Sequence, residues 1–176
     1  MFDLELIDAR LRGHQRALVC IDGPAGAGKT TLAEQLIALR ANAVVIHMDD
    51  LYDGWVNALD DRLTGRLVTQ IRDPFVAGLP IEYLRYDWHA GAFTERVSVP
   101  VSDLLIVEGV ASAQRVMREV AALSIFIDVD PAVGRQRVVE RDGNASAEHI
   151  DAWQTQERTH FESDRTRESV TLTLHS

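Results

Sequence analysis

The stretch that most constrains this chain is Gly23-Pro24-Ala25-Gly26-Ala27-Gly28-Lys29-Thr30, followed by Thr31. It fits G-x-x-x-x-G-K-[ST], the phosphate-binding P-loop or Walker A pattern. Ahead of it, Ala17-Leu18-Val19-Cys20-Ile21 is a short apolar run that reads as a buried parallel strand. After it, Leu32, Leu36 and Leu39 recur at helical spacing, with Ala33 and Ile37 beside them. Strand, glycine loop and helix, in that order, are the context the motif requires. A glycine-rich turn that merely caps a helix is the weaker reading.

Each residue type has a physical reason. Glycines let successive backbone N–H groups turn inward around phosphate oxygens, and the positive end of the following helix points at the same spot. Lys29 adds a point charge for the β- and γ-phosphates, and Thr30 offers a hydroxyl to Mg²⁺. Lys29 is the only lysine among 18 Lys and Arg residues, so a chain that otherwise uses arginine keeps a lysine where a compact ammonium is required. Gly23, Ala25, Gly26, Ala27, Gly28, Lys29, Thr30 and Thr31 are therefore the expected nucleotide-binding residues, with ATP and Mg²⁺ as the expected cofactors.

The rest of the chain narrows the setting. Its 176 residues read as one domain, 1–176. The net charge of −9 argues against a nucleic-acid-coating surface. Cys20, the sole cysteine, lies inside the first strand and reads as a small core residue, not a nucleophile. The apolar runs are far short of a membrane span, and the start, with Asp3, Glu5 and Asp8, lacks the cationic stretch of a signal peptide. The expectation is a cytoplasmic protein that binds neither nucleic acid nor membrane, with a homo-oligomer left open. The six histidines show no H-x-H or H-E-x-x-H spacing, which argues against a protein-built metal site.

In chain order, residues 3–12 read as a short amphipathic helix, and the P-loop helix runs to about Arg40. A second strand spans Ala43–His47, a helix 57–72 closes at Asp73-Pro74, and Leu79 to Pro100 reads as a loop-rich segment with room for short strands. Strands at 103–107 and 123–127 flank a helix at 111–122. Asp130-Pro131 is an N-cap and first-turn proline opening a helix to about Arg141. Residues 142–146 read as a turn, 147–167 as a helix and Val170 to Leu174 as a last strand. Alternating strands and helices predict a three-layer α/β/α fold with a five-stranded parallel sheet, and a small lid near 137–165. In such sheets ligands sit beyond the carboxyl ends of the strands.

Those ends carry acids: Asp49 and Asp50, then Glu108, then Asp128 and Asp130. Near a γ-phosphate, a carboxylate can hold Mg²⁺ or take the proton of an attacking hydroxyl. Glu108 closes Leu104-Leu105-Ile106-Val107, a Walker B pattern. Asp130 reads as a helix cap and Asp128 stays undecided. Asp49 and Asp50 are adjacent and cannot face the same way, so one is expected in the chemistry and one in support. Thr30, Asp49 and Glu108 are the expected metal-side oxygens.

Taken with the P-loop, Asp49-Asp50-Leu51-Tyr52, Tyr86-Asp87-Trp88-His89 and Val107-Glu108-Gly109-Val110 resemble the uridine kinase-like branch of the P-loop nucleoside and nucleotide kinases, over roughly residues 17–174. The resemblance implies that Asp49, three residues before Tyr52, is the general base for a ribose hydroxyl. It implies that Tyr86, Asp87 and Trp88 contact a nucleobase, that Glu108 lies near metal and sugar, and that lid arginines close over the phosphates. Trp88 stands where the family more often has phenylalanine, and no basic residue follows His89 directly.

Arg137 and Arg141 stand four apart on one helix face, which suits a phosphate clamp; pairing with Glu140 or Asp142 is the plainer alternative, and Arg165 and Arg167 compete for the role. Arg135 points elsewhere. Tyr52, Tyr86, Trp88, His89 and Glu108 join Asp49 as expected acceptor-side residues, with Trp55 bordering them or covering the sheet end. Trp153, Gln156, His160 and Phe161 read as core packing. The expected activity is transfer of the γ-phosphate of ATP to a hydroxyl of a small molecule, most readily a nucleoside, with Lys29, Asp49, Arg137 and Arg141 in catalytic roles. The alternatives are a kinase for another small alcohol or nucleotide, and a nucleotide switch or ATPase acting through a protein partner. The chain lacks the Asn-Lys-x-Asp and Asp-x-x-Gly signatures of GTPase switches and the Asp-Glu pair of motor ATPases.

Overall fold

The computed structural model describes residues 2–38 and 40–176, and of 144–148 the backbone only. Leu39, one of the apolar positions expected in the P-loop helix, lies outside them. The elements are α1 (Leu4–Leu11), β1 (Ala17–Asp22), α2 (Lys29–Ile37), β2 (Ala43–His47), a helical run α3 (Asp61–Arg66) to α4 (Asp73–Ala77), β3 (Ile81–Asp87), β4 (Ala92–Val99), β5 (Leu104–Glu108), α5 (Arg115–Arg118), β6 (Leu123–Asp128), α6 (Pro131–Asp142), α7 (Asn144–Asp164), α8 (Thr166–Ser169) and β7 (Leu172–His175). Five strands form a parallel sheet in the order β2-β5-β1-β6-β7, and β3 with β4 forms a separate antiparallel pair.

The sheet is the expected one, and the apolar runs explain it. All six residues of β1 and all five of β5 are buried, as strands covered on both faces must be. Alternation splits them: Leu18, Cys20, Leu105 and Val107 enter one core, while Ala17, Val19, Ile21, Leu104 and Ile106 enter the other. The second core takes α1 and α2 through Ile7, Leu11, Leu32 and Leu36. The first takes α3, α7 and the turn after β2.

Four segments differ from expectation. The helix expected to close at Asp73-Pro74 begins at Asp61 and continues to Ala77, where Gly78 ends it in the left-handed region. A π-helical stretch, Leu67–Arg72, widens the turn ahead of the proline, and the Asp73 N–H reaches back to the Val68 carbonyl. The proline, which has no N–H to give, is tolerated there. Residues 81–99 form a hairpin, with a register shift between Arg85 and Tyr86, not a loop-rich stretch. The helix expected over 111–122 shrinks to α5, because Ala111 takes a positive φ of 66° after Gly109. The expected turn at 142–146 narrows to Gly143, and the 147–167 helix starts three residues early and breaks at Arg165.

Candidate active site

The carboxyl ends of β1, β2 and β5 open into a cleft of about 770 Å³, lined by P-loop residues, Asp49, Tyr52, Trp55, Trp88, Glu108, Arg137, Arg141 and Trp153. Ala25, Gly26, Gly28, Lys29, Thr30 and Thr31 face it, while Gly23 and Ala27 lie behind the loop. Gly26 sits at φ +78°, and a Cβ on it would stand 2.2 Å from the Gly134 carbonyl oxygen. A Cβ on Gly134 would in turn meet the Ala25 carbonyl oxygen at 2.6 Å. Two glycines thus let α6 lie backbone-to-backbone against the P-loop.

Buried polar bonds fix the loop. Asp22, fully buried, accepts from the N–H groups of Gly23, Ala111 and Ala113 at 2.8, 2.9 and 2.8 Å. Glu157 on α7, also buried, accepts from Ala25 N–H at 3.0 Å, and burial pushes its carboxyl up from its ordinary pKa. The Lys29 ammonium donates to the Gly23 and Pro24 carbonyls at 2.8 and 2.7 Å, and burial lowers its pKa against the pull of Glu157 and Glu108. Burial raises the Cys20 thiol far above its usual range, in keeping with a core residue.

The adjacent aspartates separate as their geometry requires. Asp50 Oδ2 accepts from the Tyr83 hydroxyl at 2.8 Å and pairs with Arg85 at 3.2 Å, docking the hairpin. Asp49 faces the cleft, where surrounding protein and the charge of Glu108 raise its pKa. The Thr30 hydroxyl donates to Glu108 Oε1 at 3.0 Å, and His47 Nδ1 reaches the same oxygen at 2.6 Å. That bond raises the His47 pKa. Thr30, Asp49 and Glu108 are hard oxygen donors suited to Mg²⁺, and the pressure of Glu108 on Asp49 is negative charge that a divalent cation would relieve. Among the described residues no group of three or more His, Cys, Asp or Glu is arranged as a metal cage.

The other end of the cleft is aromatic. Trp55 stacks on His149 at 5.1 Å, meets Trp88 at 5.0 Å and turns an edge to Trp153 at 5.8 Å. Trp88 Nε1 donates to the Asp49 carbonyl at 3.1 Å. Tyr52 lines the cleft with its ring buried and its hydroxyl donated to the Val110 carbonyl at 2.8 Å. Trp153, expected as core packing, is 5% exposed yet borders the cleft.

Other expected residues sit elsewhere. Tyr86 packs on Trp88 and Phe93 within the hairpin and does not line the cleft. Asp87 accepts from His89 and Ala90 N–H groups at 2.8 and 3.0 Å, capping the hairpin turn. His89 is exposed on that turn, away from the cleft. Arg137 and Arg141 both border the cleft: Arg137 donates to the Gly26 carbonyl at 3.2 Å, and Arg141 forks onto Asp142 with two 2.6 Å bonds. Arg165 is a left-handed cap, Arg167 pairs with Asp128 and Arg135 with Asp151. Sequence reasoning missed His47 and Glu157. His47 was findable, since it is the last residue of its strand; Glu157 sits mid-helix with nothing to single it out.

No protein-family model matches the chain. Uridine-cytidine kinase C of Dictyostelium discoideum is 25% identical over 118 residues, which is 62% of this chain and 26% of that protein. The match thus spans about a quarter of the curated relative. Among solved structures, a Bacillus stearothermophilus protein assigned as a possible uridine kinase superposes with a TM-score of 0.69 at 19% identity, covering 97% of this chain and 95% of the other. A Silicibacter sp. TM1040 protein assigned as a fructose transport system kinase gives 0.65 at 22% identity, covering 96% and 95%. Among the described residues no helix is long and apolar enough to cross a membrane. The chain shares the fold of these two structures, a parallel sheet flanked by helices with a P-loop after its first strand.

Proposed function

We propose that the chain is an ATP-dependent phosphotransferase acting on a hydroxyl of a small molecule, with a nucleoside as the favoured acceptor. One observation carries this reading. Asp49 and the phosphate-side trio of Lys29, Thr30 and Glu108 face one cleft whose far end is aromatic. An ATPase switch needs the first set but has no use for an aromatic wall beside it. The sequence relative named a uridine-cytidine kinase and the fold relatives assigned as kinases for a nucleoside and a sugar system point the same way, while leaving the acceptor to experiment.

In this reading the P-loop N–H groups and Lys29 bind the phosphates, and Thr30 and Glu108 would hold the Mg²⁺ that offsets their charge, with Asp49 assigned to the acceptor instead. Asp49, facing the same cleft, takes the acceptor's hydroxyl proton as that oxygen bonds to the γ-phosphorus and ADP leaves. Arg137 and Arg141, in the lid formed by 137–165, spread the transition-state charge and exclude water. Trp55, Trp88 and Trp153 take the face of the acceptor's ring, a role proposed here in place of Tyr86 and His89. The test is ADP release from Mg²⁺·ATP against nucleosides, nucleotides, sugars and other small alcohols. The reading expects one class to raise turnover well above the ATP-only rate. No stimulation by any acceptor would refute it and favour a partner-gated ATPase.

A further inference from the structure

We propose that His47 is a positioning residue for the phosphate end of the cleft, holding Glu108 through Nδ1 so that this carboxylate is presented to the metal that accompanies the nucleotide. The inference rests on the nucleotide-binding part of the reading above. Parallel pairing of β2 with β5 sets His47 opposite Glu108, so both side chains leave neighbouring strand ends on one face of the sheet. Nδ1 stands 2.6 Å from Oε1, and the Thr30 hydroxyl reaches the same oxygen at 3.0 Å. Because a carboxylate only accepts, Nδ1 carries the hydrogen.

Two donors therefore converge on Oε1, and among the described residues no hydrogen bond reaches Oε2, which leaves that oxygen to a cation. Exposure separates this contact from an ordinary surface pair. The Glu108 side chain is 6% exposed and that of His47 is 47%. Pairs exposed on both sides are screened and loosely held, whereas this carboxylate is enclosed and shares its cleft with a second acid, Asp49. Without His47, the Thr30 hydroxyl is the one hydrogen bond left on Glu108 among the described residues; the charges of Lys29 and Arg141 still attract the carboxylate but do not fix its aim. Metal-ligating carboxylates are themselves held by hydrogen bonds, and loss of such a supporting partner weakens metal affinity about 10- to 100-fold.

Calorimetric ADP affinity, measured with Mg²⁺ and with a chelator in its place, tests this on the wild type, His47→Leu and His47→Asn. The asparagine amide can still donate from near the Nδ1 position. We expect metal-free affinity to be equal in all three, the Mg²⁺ enhancement to fall about 10-fold in His47→Leu, and most of it to return in His47→Asn. Equal enhancement in wild type and His47→Leu would overturn the proposal. So would His47→Asn behaving like His47→Leu, a loss that is the same with and without metal, or a wild-type affinity indifferent to Mg²⁺. The kinase reading stands or falls separately, on acceptor-stimulated ADP release: a protein that binds Mg²⁺·ADP with the expected enhancement but phosphorylates nothing fails that reading and keeps this one.

Discussion

The two ends of the cleft are built in opposite ways. At the phosphate end the working atoms are mostly backbone, supplied by one continuous loop and locked by buried acids, with Asp22 on three N–H groups and Glu157 on a fourth. At the end we assign to the acceptor they are side chains from separate places: Trp55 from the loop after β2, Trp88 from the hairpin, and Trp153 and His149 from α7. A backbone cradle leaves little freedom for substitution, since α6 meets it at Gly134 with no room for a methyl group. An aromatic wall tolerates repacking more readily. The phosphate end should therefore decide whether reaction occurs, and the acceptor end which molecule reacts.

Substitutions can break this contrast in a graded order. Lys29→Met removes the point charge on the phosphates and should lower ADP release by about 10³-fold, measured at saturating Mg²⁺·ATP. Gly134→Ala drives a Cβ to 2.6 Å from the Ala25 carbonyl oxygen, so α6 or the loop must shift. It should cost about 1–3 kcal/mol in unfolding free energy and weaken ATP binding along with it, measured by denaturant titration and calorimetry. Trp88→Ala removes a ring and its bond to the Asp49 carbonyl. It should raise the acceptor KM about 10-fold while leaving the ATP KM near wild type, and equal effects on both would erase the distinction between the ends.

The smallest effect concerns pH. Burial raises the Glu157 carboxyl above its unfolded value, so below that unfolded value both states hold the proton and no cost arises. As pH climbs toward the raised value, ionising the buried acid destabilises the fold. Glu157→Gln keeps an oxygen for the Ala25 N–H, so it should melt a few degrees above the wild type at weakly alkaline pH and together with it below about pH 4. A variant that melts lower at both pH values would mean that the charge itself stabilises the loop.

The same contrast governs what the sequence made legible. The P-loop, its strand and its helix are local, so composition and spacing specify them within 20 residues. The strand-end acids follow from the sheet, and adjacency alone predicts that Asp49 and Asp50 face different ways, as they do. The hairpin was harder. Ile81 and Tyr83 point inward with Glu82 outward, but exposed Leu84 and the register shift at Arg85/Tyr86 blur the alternation. Tyr86 and His89 were expected at the acceptor because Tyr86-Asp87-Trp88-His89 resembles a segment of the uridine kinase-like family. Tyr86 is instead taken up by its contacts with the Trp88 and Phe93 rings, and the turn carries His89 into solvent. Glu157 and the Trp55–His149 stack join residues about a hundred positions apart, which no local pattern encodes.

We assign Asp49 to the acceptor and not to the nucleotide. Asp49→Asn tests this assignment most directly, with ATP affinity by calorimetry and acceptor-stimulated ADP release on the same preparation. We predict ATP affinity within a few-fold of wild type and stimulated release down by about 10²–10⁴-fold. Stimulated release that survives the substitution, or ATP affinity that collapses with it, would contradict the assignment and return Asp49 to the phosphate end.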